Sequence, residues 1–379
     1  MKIQRLSLSP FLFFSLATGV HAGTIVPIAN GYFGDTGTPP TGWADVDGTP
    51  SIRTFNAGGQ RMISTNNSAY QARQVTGTAA SANTTYLLEF DQGFAASGSG
   101  SDDYTVQIGT NTAGFTSLGS KSGTVTSTGG SANFASDNAI YNSFQVTTGS
   151  SVSGNLAVQL EIAATGKDWL GYDNVHLTAF AENEIVIGNH SFDMTTRDNQ
   201  GAGVGGINNL GGNWTEISSA SARGFFGSPN RGLIGDGVGD TFSAEQILGA
   251  SIATNTAYSL TVDIGFMQSG AGITGDYLIQ LGTSNSGIFT MLAELDSSLT
   301  QTSTGEFFMA DGNTSQVQID LETGEVVSGD QLAIRLTKED TATFFGFDEV
   351  GLTFAAVPEP SSAALFGLGG LALALRRRR

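Results

Sequence analysis

The chain predicts an all-β protein: two tandem β-sandwich (jelly-roll) domains, with an N-terminal signal peptide before them and a short C-terminal membrane-engaging helix after them. Three observations predict this. The body repeats itself at an offset of 172 to 176 residues. Its apolar residues alternate with a period of two, as in Leu156, Val158, Leu160, Ile162 and in Tyr258, Leu260, Val262, Ile264, the mark of half-buried strands. It has no long stretch of 3.6-residue periodicity. Short strands separated by Gly/Ser/Thr/Asn clusters such as Ala95 to Ser101 and Gly201 to Gly212 read as strands and loops of a sandwich.

The elements follow in order. Residues 1–22 read as a signal peptide: Lys2 and Arg5, then the apolar run Leu6 to Leu16, then Val20-His21-Ala22 as a cleavage site. Residues 23–181 are the first domain and 182–356 its duplicate, with a junction near Ala181 to Asn183. The duplication is explicit in short blocks. Asn83-Thr84-Thr85-Tyr86 matches Asn255-Thr256-Ala257-Tyr258, and Asp103-Tyr104 to Gly109-Thr110 matches Asp276-Tyr277 to Gly282-Thr283. Leu156 to Leu160 matches Leu332 to Leu336, and Gly171-Tyr172-Asp173-Asn174-Val175 matches Gly346-Phe347-Asp348-Glu349-Val350. A drifting offset means loop insertions between two domains of usual size, not a solenoid.

Residues 357–379 form a sorting tail. Pro358 and Pro360 push their neighbours extended. The uncharged stretch 361–375 would rise only about 22 Å as a helix, against about 30 Å of hydrocarbon, so it suits transient retention. Arg376, Arg377, Arg378 and Arg379 set the orientation, with the body outside the cytoplasm. Val357-Pro358-Glu359-Pro360, the apolar stretch and the arginines together resemble the PEP-CTERM sorting signal. That resemblance implies an exosortase-type transpeptidase as partner, transient anchoring at the inner membrane, and delivery to the surface or matrix of a Gram-negative-type, biofilm-forming bacterium.

Composition agrees with export. The chain has no cysteine, so neither disulfides nor a Cys metal site is available. Setting aside the six basic residues of the two terminal segments and Glu359 leaves 10 basic against 33 acidic residues, a charge of −23. Such a body repels nucleic acid and anionic membranes.

Asn30-Gly31-Tyr32-Phe33 and Asn189-His190-Ser191-Phe192-Asp193 resemble the opening of galactose-binding-like jelly rolls, a class that includes carbohydrate-binding modules. Gly42-Trp43 and Asn213-Trp214 follow it, and Asp173-Asn174-Val175 and Asp348-Glu349-Val350 close it. The resemblance implies a structural calcium where first and last strands meet, held by the opening acid and the closing aspartate. Asp193 with Asp348 would supply it in the second copy. In the first copy Gly34 takes the opening position, so Asp35, one residue on, would have to pair with Asp173. Counting by two from each closing aspartate to Val175 and Leu177, or to Val350 and Leu352, places both carboxylates on the core side of a strand start, where a charge needs a partner. The bland alternative is an aspartate capping backbone N–H groups.

Trp43 and Trp214 occupy matching places and read as core; Trp169 and Phe344, beside Tyr172 and Phe347, read the same way. Phe225 and Phe226, placed on a variable loop, are the better candidates for stacking on a sugar. His176 and His190 have no catalytic partner motif, and Asp45-Val46-Asp47-Gly48 reads as turn chemistry. Glu89 and Asp91 share a strand face, where the second copy has Thr261 and Asp263, but no glycosidase signature appears. PEP-CTERM-like tails also occur on some ice-binding proteins; Thr124-Val125-Thr126 is too little for an ice-binding face. The expected role is a non-catalytic surface or matrix protein contacting extracellular polysaccharide. A purely structural matrix protein and a glycan-active hydrolase are the alternatives.

Overall fold

The computed structural model describes residues 23–357 except 35–38, 48–52, 58–59, 65–67, 96–99, 129–138, 164–168, 193–195, 198–202, 211, 218–221, 227–230, 236–240, 267–269, 310–311, 326–328 and 340–344. The expected signal peptide, Asp35, Asp193, Phe344 and the tail from Pro358 onward, with its helix 361–375, lie outside the described residues.

Every described element is a strand. The first set is β1 (Thr24–Val26), β2 (Ala44–Asp45), β3 (Arg53–Ala57), β4 (Gln60–Ser64), β5 (Tyr70–Ala79), β6 (Thr85–Phe94), β7 (Gly100–Asn111), β8 (Phe115–Ser127), β9 (Ile140–Thr147), β10 (Asn155–Ala163) and β11 (Leu170–Phe180). The second is β12 (Thr196–Arg197), β13 (Gly203–Asn209), β14 (Trp214–Glu216), β15 (Ala222–Phe226), β16 (Arg231–Gly235), β17 (Phe242–Ser251), β18 (Thr256–Phe266), β19 (Ile273–Asn285), β20 (Ile288–Gln301), β21 (Ser315–Glu322), β22 (Gln331–Lys338) and β23 (Phe345–Ala356).

One sheet of the first set runs β3-β4-β11-β6-β9, with β1 also on β11, and the other runs β2-β5-β10-β7-β8. The pairs β4·β11, β5·β10, β6·β9 and β7·β8 nest one inside another, as in a long hairpin rolled up, which is jelly-roll topology. The second set repeats both orders with every number raised by twelve: β15-β16-β23-β18-β21, extended by β13 and β12, and β14-β17-β22-β19-β20.

Each set has its own core. Val26, Phe33, Trp43, Tyr86, Leu88, Phe90, Val106, Leu160 and Tyr172 belong to one cluster, and Ile187, Phe192, Trp214, Leu260, Ile279, Leu336 and Phe347 to the other. Trp43 packs on Phe33 with ring centroids 5.5 Å apart, and Trp214 on Phe192 at 5.2 Å, so both tryptophans fill cores. Trp169 differs: it is half-buried and joins Met62 in a separate small cluster.

The motifs behind the resemblance are backbone devices. Asn30 and Phe33 have φ of 52° and 46°, Asn189 and Phe192 of 44° and 53°, and Asn174 and Glu349 of 48° and 44°. A positive φ is tolerated by Asn and costly for Phe, so its return in both copies marks a geometry that the packing imposes. That geometry closes each sandwich. Val175 N–H donates to Gly31 O at 3.0 Å, and Val350 N–H to His190 O at 2.9 Å, tying opening turn to closing strand.

Two expectations fail here. Gly203 to Asn209, expected as loop, is strand β13, paired with β15 through Gly203↔Phe226 to Gly206↔Arg223. Pairing on a neighbouring strand overrides the low strand propensity of glycine. The second failure concerns Asp173 and Asp348, which do not start strands. They sit within β11 and β23 where the register slips, between Asp173 and His176 on one and opposite Thr261 to Asp263 on the other. A bulge inserts one residue and breaks the period of two. Tyr172 and Val175, three apart, therefore both reach the core, and counting back from Val175 does not place Asp173 beside them.

Candidate functional site

Twelve residues form three rows on the outer face of the sheet β2-β5-β10-β7-β8. Their alternating partners on β5, β10 and β7, among them Ala72, Val106, Ile108, Leu156, Val158 and Leu160, are buried on the core side. Cross-strand register sets the rows: Val75–Ala157–Gly109–Ser117, then Arg73–Gln159–Gln107–Ser120, then Gln71–Glu161–Thr105–Ser122.

The first row is made of small and apolar groups, of which Ala157 and Gly109 are buried. Val75 stands 44% exposed. The Phe115 ring lies against Gly109, where an added Cβ would come within 2.5 Å of it; only glycine leaves the ring that seat. The Arg73 guanidinium lies over the ring, 4.6 Å from its centroid. Arg73 Nε and Nη2 donate to Gln159 Oε1 at 2.9 and 2.5 Å. The other two rows carry amides and hydroxyls, with Thr105 and Ser122 hydrogen-bonded at 2.9 Å and Gln71 Nε2 donating to Glu161 Oε2 at 2.9 Å. The exposed Val75 and partly exposed Phe115 beside ranked amides and hydroxyls are what a sugar chain uses: C–H faces on the apolar groups, hydroxyls on the polar ones.

The second sandwich has the same rows: Ile247–Ala333–Gly282–Met291, Glu245–Arg335–Gln280–Glu294 and Ser243–Thr337–Leu278–Asp296. Arg335 lies 4.1 Å over Phe289, but it comes from β22 and pairs with Glu245 Oε2 at 2.6 Å. Its rows are more apolar and more acidic. Glu339 beside them is pushed up by burial and by Asp296, Asp276 and Glu294.

A second cluster lies on the outer face of β6. Glu89 and Asp91 are 2% and 1% exposed, and they do share one face. Glu89 Oε1 accepts Tyr141 Oη–H at 2.5 Å and the Asn189 N–H at 2.8 Å, so a residue of the second sandwich's opening turn is bound to the first. Asp91 Oδ2 accepts Asn174 Nδ2–H at 2.7 Å, and its Oδ1 has no partner among the described residues. Burial pushes the Asp91 carboxyl up to about 7, the Asn174 bond opposing and Glu89 adding to it. His176 faces Glu89 in register and meets Tyr32 edge-on at 4.9 Å. In the second copy Asp263 takes bonds from Thr314 and Gln316, and burial raises its carboxyl less far.

The residues singled out from sequence fall elsewhere. Asp173 and Asp348 are 1% and 4% exposed, and each accepts the next residue's N–H on Oδ1 at 2.9 Å. Such a bond is the one that the capping alternative expects. No group of three possible metal ligands occurs among the described residues, and the expected calcium partners Asp193 and Asp35 lie outside them. Phe225 and Phe226 are not on a loop: they lie in β15, paired with β13 and β16, and their side chains lie outside the described residues. His190 is buried with Nδ1 3.6 Å from Glu349. Sequence reading passed over Arg73, Gln107, Gln159 and Phe115. A signal existed, since Gln159 against Arg335 is the one charge change in the matched block Leu156 to Leu160. Gln74 and Gln246 were also missed. Both are buried; Gln74 bonds Ala29 N–H and O, and Gln246 bonds Gly188 O and Gly212 O, clamping the opening turns.

Comparison with known proteins gives two matches to family models. Residues 356–379 match the PEP-CTERM protein-sorting motif, so the chain carries that sorting signal and is an exported protein. Residues 183–353, less than half the chain, match the HpiC1-like family, described as HpiC1 cyclase. No curated protein matches. Similar solved structures include the apo form of a cyclase from Fischerella sp., 18% identical, covering 46% of this chain and 98% of that one with a TM-score of 0.35. The tandem CBM22-1-CBM22-2 domains of Paenibacillus barcinonensis Xyn10C are 11% identical over 89% of this chain and 99% of theirs, with a TM-score of 0.33. The CBM22-1 xylan-binding domain of the same protein is 13% identical over 45% and 95%, with a TM-score of 0.31.

Proposed function

We propose that this chain is an exosortase-processed surface or extracellular-matrix protein that contacts extracellular polysaccharide without catalysing a reaction. The observation that carries the binding role is the three-row face of the first sandwich. The sorting motif supports processing by an exosortase-type transpeptidase after a transient stay at the inner membrane. The test is a glycan array probed with the exported protein and with its Gln107→Ala variant. Binding by the first and its loss in the second is expected. Silence of the parent on a broad array returns the protein to a purely structural matrix role.

The cyclase-family match favours a second reading, in which the second sandwich does acid–base chemistry. Asp263, whose carboxyl is held up by burial, would be its acid. Turnover of any substrate that Asp263→Asn abolishes would establish it. A structural calcium for each sandwich, on Asp348 with Asp193 and on Asp173 with Asp35, belongs to the proposal too. Its support is the return of a buried aspartate at the same bulge in both copies. Unfolding midpoints with calcium and with chelator test it, and identical midpoints would remove the metal.

A further inference from the structure

The two sandwiches build the same three-row face and charge it differently. In both, an arginine lies on a phenylalanine and spends its Nε and Nη2 hydrogens on one oxygen of a neighbouring side chain. In the second sandwich that oxygen belongs to Glu245, and the charge is cancelled. In the first it belongs to the neutral Gln159, and the charge remains. The Nη1 hydrogens and the second Nη2 hydrogen of Arg73 stay available among the described residues. Together they make the end-on fork that matches the two oxygens of a carboxylate.

The neighbours sharpen the contrast. Beyond Gln159 the Arg73 row continues with Gln107 and the exposed Ser120. The acid on these three rows, Glu161, is one row away and occupied by Gln71 Nε2. The matching positions in the second sandwich bring Glu294 and Asp296; farther along the two faces are alike, Asp276 opposite Ser298 matching Asp103 opposite Thr124. An anionic chain would meet one unpaired cation on the three rows of the first face, and Glu294 and Asp296 beside a cancelled arginine on those of the second. Partial burial lowers the affinity of Arg73 for its proton, as expected of a cation that has lost some water and gained no counter-charge.

We infer that the first sandwich takes a carboxylate-bearing polysaccharide, a chain of uronic acids, with Arg73 as the carboxylate anchor, and that the second sandwich excludes it. This rests on the polysaccharide reading above and goes beyond it to the ligand's charge. Apolar sugar faces would lie on the exposed Val75 and on the partly exposed edge of Phe115, and ring hydroxyls would meet Gln107, Thr105 and Ser122.

The test is affinity electrophoresis of the full exported protein in polygalacturonate and in the same polymer with its carboxyls reduced to alcohols. The parent should bind the uronate form about 10-fold more tightly, the worth of one charge-assisted fork, and less so as salt rises. Arg73→Gln should lose that preference and bind the two polymers alike. Arg73→Lys should recover only part of it, and Arg335→Gln should leave it intact. Equal binding of both polymers by the parent overturns the charge assignment alone, as does a preference that survives Arg73→Gln. A sulfated glycan bound as tightly as the uronate overturns the carboxylate assignment. Failure to bind any polymer overturns this inference together with the reading it rests on. Unchanged unfolding midpoints in the variants separate these outcomes from misfolding.

Discussion

Replacing Asp91 with Asn should stabilise the first sandwich at neutral and alkaline pH. The Asp91 carboxyl is 1% exposed and its Oδ1 has no partner among the described residues. Its proton affinity rises from 3.8 to about 7. A carboxyl held above its unfolded value binds its proton more tightly in the folded state. It therefore supports the fold fully below about pH 4, and that support is lost as pH climbs through about 7. The gap, at 1.36 kcal/mol for each tenfold in proton affinity, comes to about 4 kcal/mol as an upper bound. Asparagine keeps the shape and can still accept Asn174 Nδ2–H, yet never ionises. The assay is urea unfolding between pH 4 and pH 8.5 in a Trp214→Phe background, where fluorescence follows the first sandwich through Trp43 and Trp169. The parent should lose stability across that range by about 1 to 4 kcal/mol more than the variant. Parallel pH profiles in the two proteins would refute the reasoning, because they would mean that Asp91 is ionised or solvated throughout.

Three further outcomes follow from the packing. Glu89→Ala strands the Tyr141 hydroxyl and the Asn189 N–H. It should cost about 2 to 3 kcal/mol and speed protease cleavage near Ala181 to Asn183, measured by limited proteolysis. Trp43→Ala should cost about 3 to 5 kcal/mol by opening the first core, seen as a lowered unfolding midpoint of that sandwich alone. Gly109→Ala puts a methyl within 2.5 Å of the Phe115 ring and of Thr116 O. It should cost about 1 to 3 kcal/mol and, by lifting Phe115, weaken glycan binding, read from a binding titration.

Much of the fold was legible because its signals are local. Alternation along β6, β10 and β18, and matched blocks at a nearly constant offset, require no knowledge of what packs on what. The opening Asn-x-x-Phe and closing Asp-Asn-Val segments were legible as motifs but not as what they are. Their content is positive φ at Asn30, Phe33 and Asn174 and a bulge that shifts register, and a bulge is set by the partner strand. For the same reason the parity argument at Asp173 failed while the one at Leu160 held. The candidate face was hidden for a different cause. Arg73, Gln159, Gln107 and Ser120 are scattered over 87 positions of sequence and become neighbours only when β5, β10, β7 and β8 lie side by side. Aromatic residues drew the sequence reading toward Phe225 and Phe226. The aromatic that the rows do use, Phe115, is recognisable only beside the glycine that seats it.

The central claim is that polysaccharide lies on the outer face of β5, β10 and β7. Hydrogen–deuterium exchange of the exported protein, with and without saturating polysaccharide, tests it most directly. The account predicts slowed exchange concentrated in the segments carrying Arg73, Gln107, Phe115 and Gln159, with the same strands of the second sandwich unchanged by a uronate chain. Protection confined to other segments, such as Gly203 to Phe226, would contradict it.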